Sequence, residues 1–85
     1  MQKYLSLDGF ERSKEEDNLI SQHIDACFKT PAGEQVLRYL RSITIEMVHG
    51  GAVSDAELRH AEGQRYIVGL IERRIQHSKK VKAND

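Results

Sequence analysis

The sequence predicts an all-α fold: a small three-helix antiparallel bundle carrying an N-terminal arm and a basic C-terminal tail. Three observations predict it. Apolar residues recur at three- and four-residue steps in three separate stretches. Capping residues stand in front of each stretch, Ser13, Thr30-Pro31 and Ser54. The adjacent glycines Gly50-Gly51 separate the second stretch from the third. The 85 residues make one domain, and a chain this short buries only about 60–65% of its unfolded surface.

Residues 1–12 form the arm. Tyr4, Leu5, Leu7 and Phe10 surround Asp8-Gly9, a turn dipeptide, and their spacing is too short for a longer element. The expectation is that this arm packs back on its own core, with docking on a neighbour as the alternative. Ser13-Lys14-Glu15-Glu16 is a capping-box pattern. Glu15, Glu16 and Asp17 sit in the first turn, where the helix dipole favours negative charge. Leu19, Ile20, His23, Ile24, Cys27 and Phe28 then share one face of a helix over residues 14–29.

Thr30 is suited to cap the second helix and Pro31 to occupy its first position, where a missing N–H is harmless. Val36, Leu40, Ile43 and Met47 form its central stripe, with Leu37, Thr44 and Val48 alongside, over residues 31–49. Ile43-Thr44-Ile45 would also suit a strand, but the 3.6-residue period runs on to Val48, favouring helix. Ser54-Asp55-Ala56-Glu57 repeats the capping-box pattern and opens a third helix over residues 55–77. Residues 78–85 follow as the tail, with Lys79, Lys80 and Lys82 complementing the helix C-terminus.

The third helix is apolar on two sides. Ala61, Val68, Ile71 and Ile75, with Ile67 at the edge, make a broad core-facing side. Tyr66 and Leu70 point roughly opposite, with Gly63 nearby and Arg73 and Arg74 flanking. A helix apolar on two sides either sits centrally or reaches a partner. One reading packs Tyr66 and Leu70 under the arm; the other makes Gly63, Tyr66, Leu70, Arg73 and Arg74 a partner-binding seam, where Tyr and Arg are enriched. Gly63 and Gly69 each cost about 1 kcal/mol in a helix interior, which predicts close backbone approach there.

Charge is balanced at 13 basic and 13 acidic residues, so the chain is no general counter-charge for nucleic acid. Its distribution is uneven: residues 1–34 hold four Lys/Arg and seven Asp/Glu, net −3, and residues 35–85 hold nine and six, net +3. A single Cys rules out an internal disulfide and suits a reducing compartment. No apolar run is long enough to span a bilayer and Met1-Gln2-Lys3-Tyr4 begins no signal peptide, so a soluble protein is expected.

Candidate chemistry is sparse. Glu46…His49 and Glu57…His60 repeat the Glu-x-x-His spacing of carboxylate-bridged di-metal sites, on either side of the Gly-Gly loop. Such sites need a further Glu from each of two other helices, and the first helix offers no inward Glu at mid-length. His23 and Cys27 share an apolar face, where a buried thiol and a boundary histidine are the ordinary outcome. No metal and no cofactor are therefore expected. There is no Gly-rich phosphate loop, nucleophile elbow or Cys-x-x-Cys, and no enzyme is expected. Residues 73–82 hold five Lys/Arg, of which Lys79, Lys80 and Lys82 are candidate nucleic-acid contacts. The acidic start of the third helix argues against insertion of that helix into a groove, and a solvated tail is the default.

Phe28-Lys29-Thr30-Pro31-Ala32-Gly33-Glu34-Gln35-Val36-Leu37, followed by His60-Ala61-Glu62-Gly63-Gln64-Arg65-Tyr66-Ile67, resembles a family of small tailed-bacteriophage proteins of podovirus type. That family has an aromatic residue before a Thr-Pro-x-Gly-x-x-Val-Leu helix start and a later Glu-Gly-x-Arg helix. Phe28, Thr30, Pro31 and Gly33 match the first motif, and Glu62, Gly63 and Arg65 the second; the likeness spans residues 27–76. The resemblance implies a phage origin, a gene in the head-and-portal region, and a place in virion structure or head assembly. It brings no catalytic or binding residues with it. The expected function is thus non-enzymatic, through contact with a phage structural protein, a host protein or a second copy, in the virion or in the cytoplasm of the infected bacterial cell. Two alternatives accompany it: an effector that inhibits a host protein, with the acidic N-terminal third mimicking nucleic acid, and a nucleic-acid-binding packaging accessory.

Overall fold

A computed structural model describes residues 4–83. Residues 1–3 of the expected arm and 84–85 of the expected tail lie outside the described residues. The element order is β1 (Tyr4–Leu5), β2 (Glu11–Arg12), α1 (Lys14–Phe28), α2 (Pro31–Ser42) and α3 (Asp55–Ala83).

The arm folds into a minimal antiparallel hairpin, pairing Tyr4 with Arg12 and Leu5 with Glu11. Its turn is built by the residues the sequence supplies there. Gly9 adopts φ +86°, a conformation that L side chains rarely reach. The Asp8 carboxylate accepts from the Phe10 N–H at 3.1 Å, and Ser6 N–H donates to the Phe10 carbonyl at 3.0 Å.

Each helix starts as its cap dictates. Glu16 N–H donates to Ser13 Oγ at 3.1 Å, Gly33 N–H to Thr30 Oγ1 at 3.0 Å, and Glu57 N–H to Ser54 Oγ at 3.2 Å. The Thr30 hydroxyl also donates to the Cys27 carbonyl at 3.2 Å, so one side chain joins the end of α1 to the start of α2. Gly33 is required at this corner. A Cβ there would meet the Cys27 carbonyl, sit 2.8 Å from Phe28 Cα and 2.9 Å from Thr30 Oγ1.

Two helix ends differ from expectation. α2 stops at Ser42, seven residues short of 49. The Ile43-Thr44-Ile45 run gives up the regular ladder: Thr44 N–H and Glu46 N–H both turn to the Arg41 carbonyl, at 3.2 and 3.0 Å, and the Thr44 hydroxyl takes the Leu40 carbonyl at 2.6 Å. β-Branched side chains and a hydroxyl competing for backbone carbonyls favour that exit. Arg65 of α3 then holds the resulting turn, donating to the Thr44 and Met47 carbonyls at 3.1 and 2.8 Å. α3, conversely, runs on through the expected tail to Ala83. Ser78 and Lys82 extend it because both reach the Asp25 carboxylate on α1, at 3.1 and 3.3 Å.

Consecutive helices run antiparallel, which leaves α1 and α3 parallel: Asp17 faces Arg74, and Asp25 faces Ser78 and Lys82. α2 opposes α3 with Arg41 at Glu72. At roughly 1.5 Å per residue, α3 with 29 residues is nearly twice as long as α1 with 15 and more than twice as long as α2 with 12, and residues 54–60 are all exposed. The body measures 48 × 33 × 15 Å with a radius of gyration of 15.4 Å, against about 12 Å for a compact chain of this length.

Candidate functional site

The seam between α1 and α3 is polar, where an apolar stripe was expected. Among the described residues only Ala61 and Val68 are buried large or small apolar side chains, while Asp17, Ser21, Asp25, Arg74 and Ser78 are buried at the α1–α3 contact. Arg74 is 1% exposed. Its guanidinium donates to the Asp17 carboxylate and carbonyl, to Ser21 Oγ at 3.0 Å and to Asp8 at 3.3 Å. Ser21 Oγ also lies 2.7 Å from His77 Nδ1. No buried side-chain nitrogen or oxygen lacks a partner among the described residues, the condition under which a low-dielectric polar cluster is tolerable.

This seam corrects several expectations. α1 turns its Asp17-Ser21-Asp25 ridge inward, with Ile20, Ile24 and Phe28 half-buried beside it; Leu19, His23 and Cys27 are exposed. The period of the apolar residues alone placed them inside, because it gave no weight to a matching polar ridge on α3. Arg74 leaves the partner-binding set for the same reason: it faces inward and is spent on α1 and the hairpin. Three of the seven acids of the N-terminal third, Asp8, Asp17 and Asp25, are turned into ion pairs with Arg12, Arg74 and Lys82, which shrinks the surface available for mimicry of nucleic acid.

The hairpin is fixed by Asp8. Its carboxylate takes the Arg12 guanidinium at 2.9 Å, Arg74 at 3.3 Å and the Ser6 hydroxyl. Hydrogen bonding from Arg12, then from Ser6, holds the Asp8 carboxyl well below the usual carboxylate range. Leu7 N–H adds a 3.4 Å contact to Asp17. The arm thus packs back on its own core.

Tyr66 and Leu70 are only grazed by this packing. The Tyr66 hydroxyl reaches the Asp8 carbonyl at 3.4 Å, yet the side chain stays 49% exposed, and Leu70 is half-buried. Arg73 is exposed and stacks over the Tyr66 ring at 6.0 Å. Among the described residues, nothing lies within 4 Å of where a Cβ would sit on Gly63 or Gly69, so the close backbone approach expected of these two glycines is not found there. Of the central stripe expected on the second helix, Val36, Ile43 and Met47 are exposed and Leu40 is half-buried, and Tyr39 is exposed as well.

The tail lysines do not form one patch. Lys79 and Lys82 line a groove with Phe28 and Leu37, and Lys80 lines a different groove beside the hairpin. The candidate metal residues are also dispersed: Glu46 pairs with Arg41 at 3.2 Å and His60 contacts Gln64 at 3.1 Å. Among the described residues, no three His, Cys, Asp or Glu side chains stand where they could share a metal ion. No helix is long and apolar enough to cross a membrane.

Sequence reasoning did not find the Arg65 clamp or the Asp8–Arg74 link. The signal for the first was present, since Arg65 belongs to the Glu-Gly-x-Arg motif, with Glu62 at 3.1 Å. The second joins residues 66 apart, a separation over which no local pattern speaks.

No curated protein and no solved structure gives a significant match to the chain. A family model described as Bbp19-like phage protein matches residues 24–83, from the second half of α1 to the end of α3. The hairpin and the first turns of α1 lie before the matched segment. With well over half of its length covered, the chain belongs to the Bbp19-like phage protein family.

Proposed function

We propose that this phage protein is a non-enzymatic component acting through protein–protein contact, in virion structure or head assembly. The carrying observation is the outer side of α3, where Tyr66, Leu70 and Arg73 stay accessible beside two glycines that bring no close contact among the described residues. Membership of a phage family supports the setting. The extended shape supports the mode of action. A flat body 15 Å thick leaves Val36, Tyr39, Met47 and Ile67 at least half exposed, apolar surface that a protein partner could cover.

Particle composition and association test the reading together. The protein is expected in purified virions or assembly intermediates by mass spectrometry. Tyr66→Glu/Leu70→Glu should abolish its incorporation while leaving the helical circular dichroism unchanged. Absence from both kinds of particle, with retention of a bacterial enzyme from host lysate, would replace this reading with that of an inhibitor of a host protein.

A further inference from the structure

Beside the hairpin, a groove of about 400 Å³ runs along the outer side of α3. Leu7 forms one wall, Gly69 the floor, and Arg73, Gln76, His77 and Lys80 the α3 side. We propose that this groove docks an acidic peptide segment of a protein partner, with an aliphatic side chain seated over Gly69 and carboxylates against Arg73 and Lys80. The proposal rests on the protein–protein reading above and names the chemistry of the partner at the same face.

Charge complementarity carries it. Arg73 and Lys80 make no ion pair among the described residues, so both cations stand uncompensated at the rim. The one acid in the lining, Glu72, is already taken by Arg41 of α2, whose Nη1 lies 2.6 Å from Oε1. Asp8, the acid of the adjoining hairpin turn, is likewise engaged by Arg12 and Arg74. The groove therefore presents positive charge that nothing among the described residues answers. His77 turns Nδ1 to Ser21, leaving its other ring nitrogen for a ligand or solvent. Leu7 and the bare Gly69 backbone supply the apolar part, and a groove of this volume takes a few side chains. A phosphate polyanion would use the cations but not the Leu7–Gly69 strip.

Fluorescence anisotropy on the full chain tests this, with a labelled short peptide alternating Glu and Leu, its Gln–Leu counterpart, and a single-stranded DNA of equal charge. The Glu–Leu peptide should bind, weaken with added salt, and lose about tenfold in affinity in Arg73→Gln/Lys80→Gln. Gly69→Leu should produce a similar loss with every charge kept and the helical circular dichroism unchanged; among the described residues nothing lies within 4 Å of its Cβ position, so the side chain starts out in the open groove. Arg38→Gln/Arg59→Gln, at exposed positions outside the groove, should bind as the unmodified protein does. Equal loss in that control, tighter binding of the DNA, or undiminished binding by Gly69→Leu would each overturn the proposal. So would absence of binding to the Glu–Leu peptide, and if the protein were still found in particles the broader reading would survive that failure.

Discussion

Replacing Arg74 by Met isolates the energetics of the polar seam. The substitution retains an unbranched aliphatic stem and removes a guanidinium that contacts Asp17, Ser21 and Asp8. Asp17 is 2% exposed and would lose the cation facing it. Breaking a buried pair by deleting one partner costs about 3–5 kcal/mol, because the remaining buried charge loses the cation that offsets its desolvation. Total stability for a domain of this size is roughly 4–13 kcal/mol, so Arg74→Met should remove about a quarter of it or more. Removing the acid as well, in Arg74→Met/Asp17→Leu, should recover most of the loss, since an apolar replacement of both partners is often neutral or better. Urea unfolding followed by far-ultraviolet circular dichroism at pH 7 measures all three proteins, and Asp17→Leu completes the double-mutant cycle. A loss below about 1 kcal/mol in Arg74→Met would refute the reasoning, since surface ion pairs are worth no more than that. Additive single losses in the double variant would refute the specific pairing.

Two further predictions follow from single sites. Gly33→Ala should destabilise the chain by about 1–2 kcal/mol, the overpacking cost against Cys27 and Phe28 backbone less the small helix-propensity gain, whereas Gly63→Ala, facing open space, should stabilise it by up to about 1 kcal/mol; thermal melts of the two variants give the opposite signs. Asp8 has its folded pKa lowered, so its contribution is complete above the unfolded value of about 4 and is lost as pH falls below it. The stability difference between the unmodified protein and Asp8→Asn should accordingly be constant from pH 5 to 7 and shrink as the solution is taken down through pH 4 and below (these pH limits being approximate), read by urea titrations at stepped pH.

The helices were legible in the sequence because capping is local chemistry. Ser13, Thr30 and Ser54 each bond a backbone N–H three residues on, and that spacing can be read without knowing the fold. The ends at Ser42 and Ala83 were not legible, since each depends on a distant group: Arg65 gathers the carbonyls after α2, and Asp25 draws Ser78 and Lys82 into α3. The inner face of α1 was hidden for a related reason. Periodicity assigns the interior to apolar residues, and Asp17, Ser21 and Asp25 have the right spacing but the wrong polarity until Arg74 and Ser78 are placed opposite. On the outer side of α3, Tyr66, Leu70 and Arg73 were legible as a second face because they oppose the Ala61–Val68 side. Arg74 was misplaced there because its position on the helix wheel also borders α1, and only the placement of Asp17 and Ser21 opposite it decides which side it joins.

The ladder of Asp17, Ser21 and Asp25 against Arg74, His77, Ser78 and Lys82 has a consequence for how the two parallel helices are aligned. Greasy side chains can slip by one turn and find equivalent neighbours, whereas these rungs are each different. A one-turn slide would set Asp17 against Leu70 or Ser78 and leave the guanidinium with no carboxylate to meet. The seam therefore works as a key with a single notch, which fixes α3 against α1 in one register from Asp17 to Asp25.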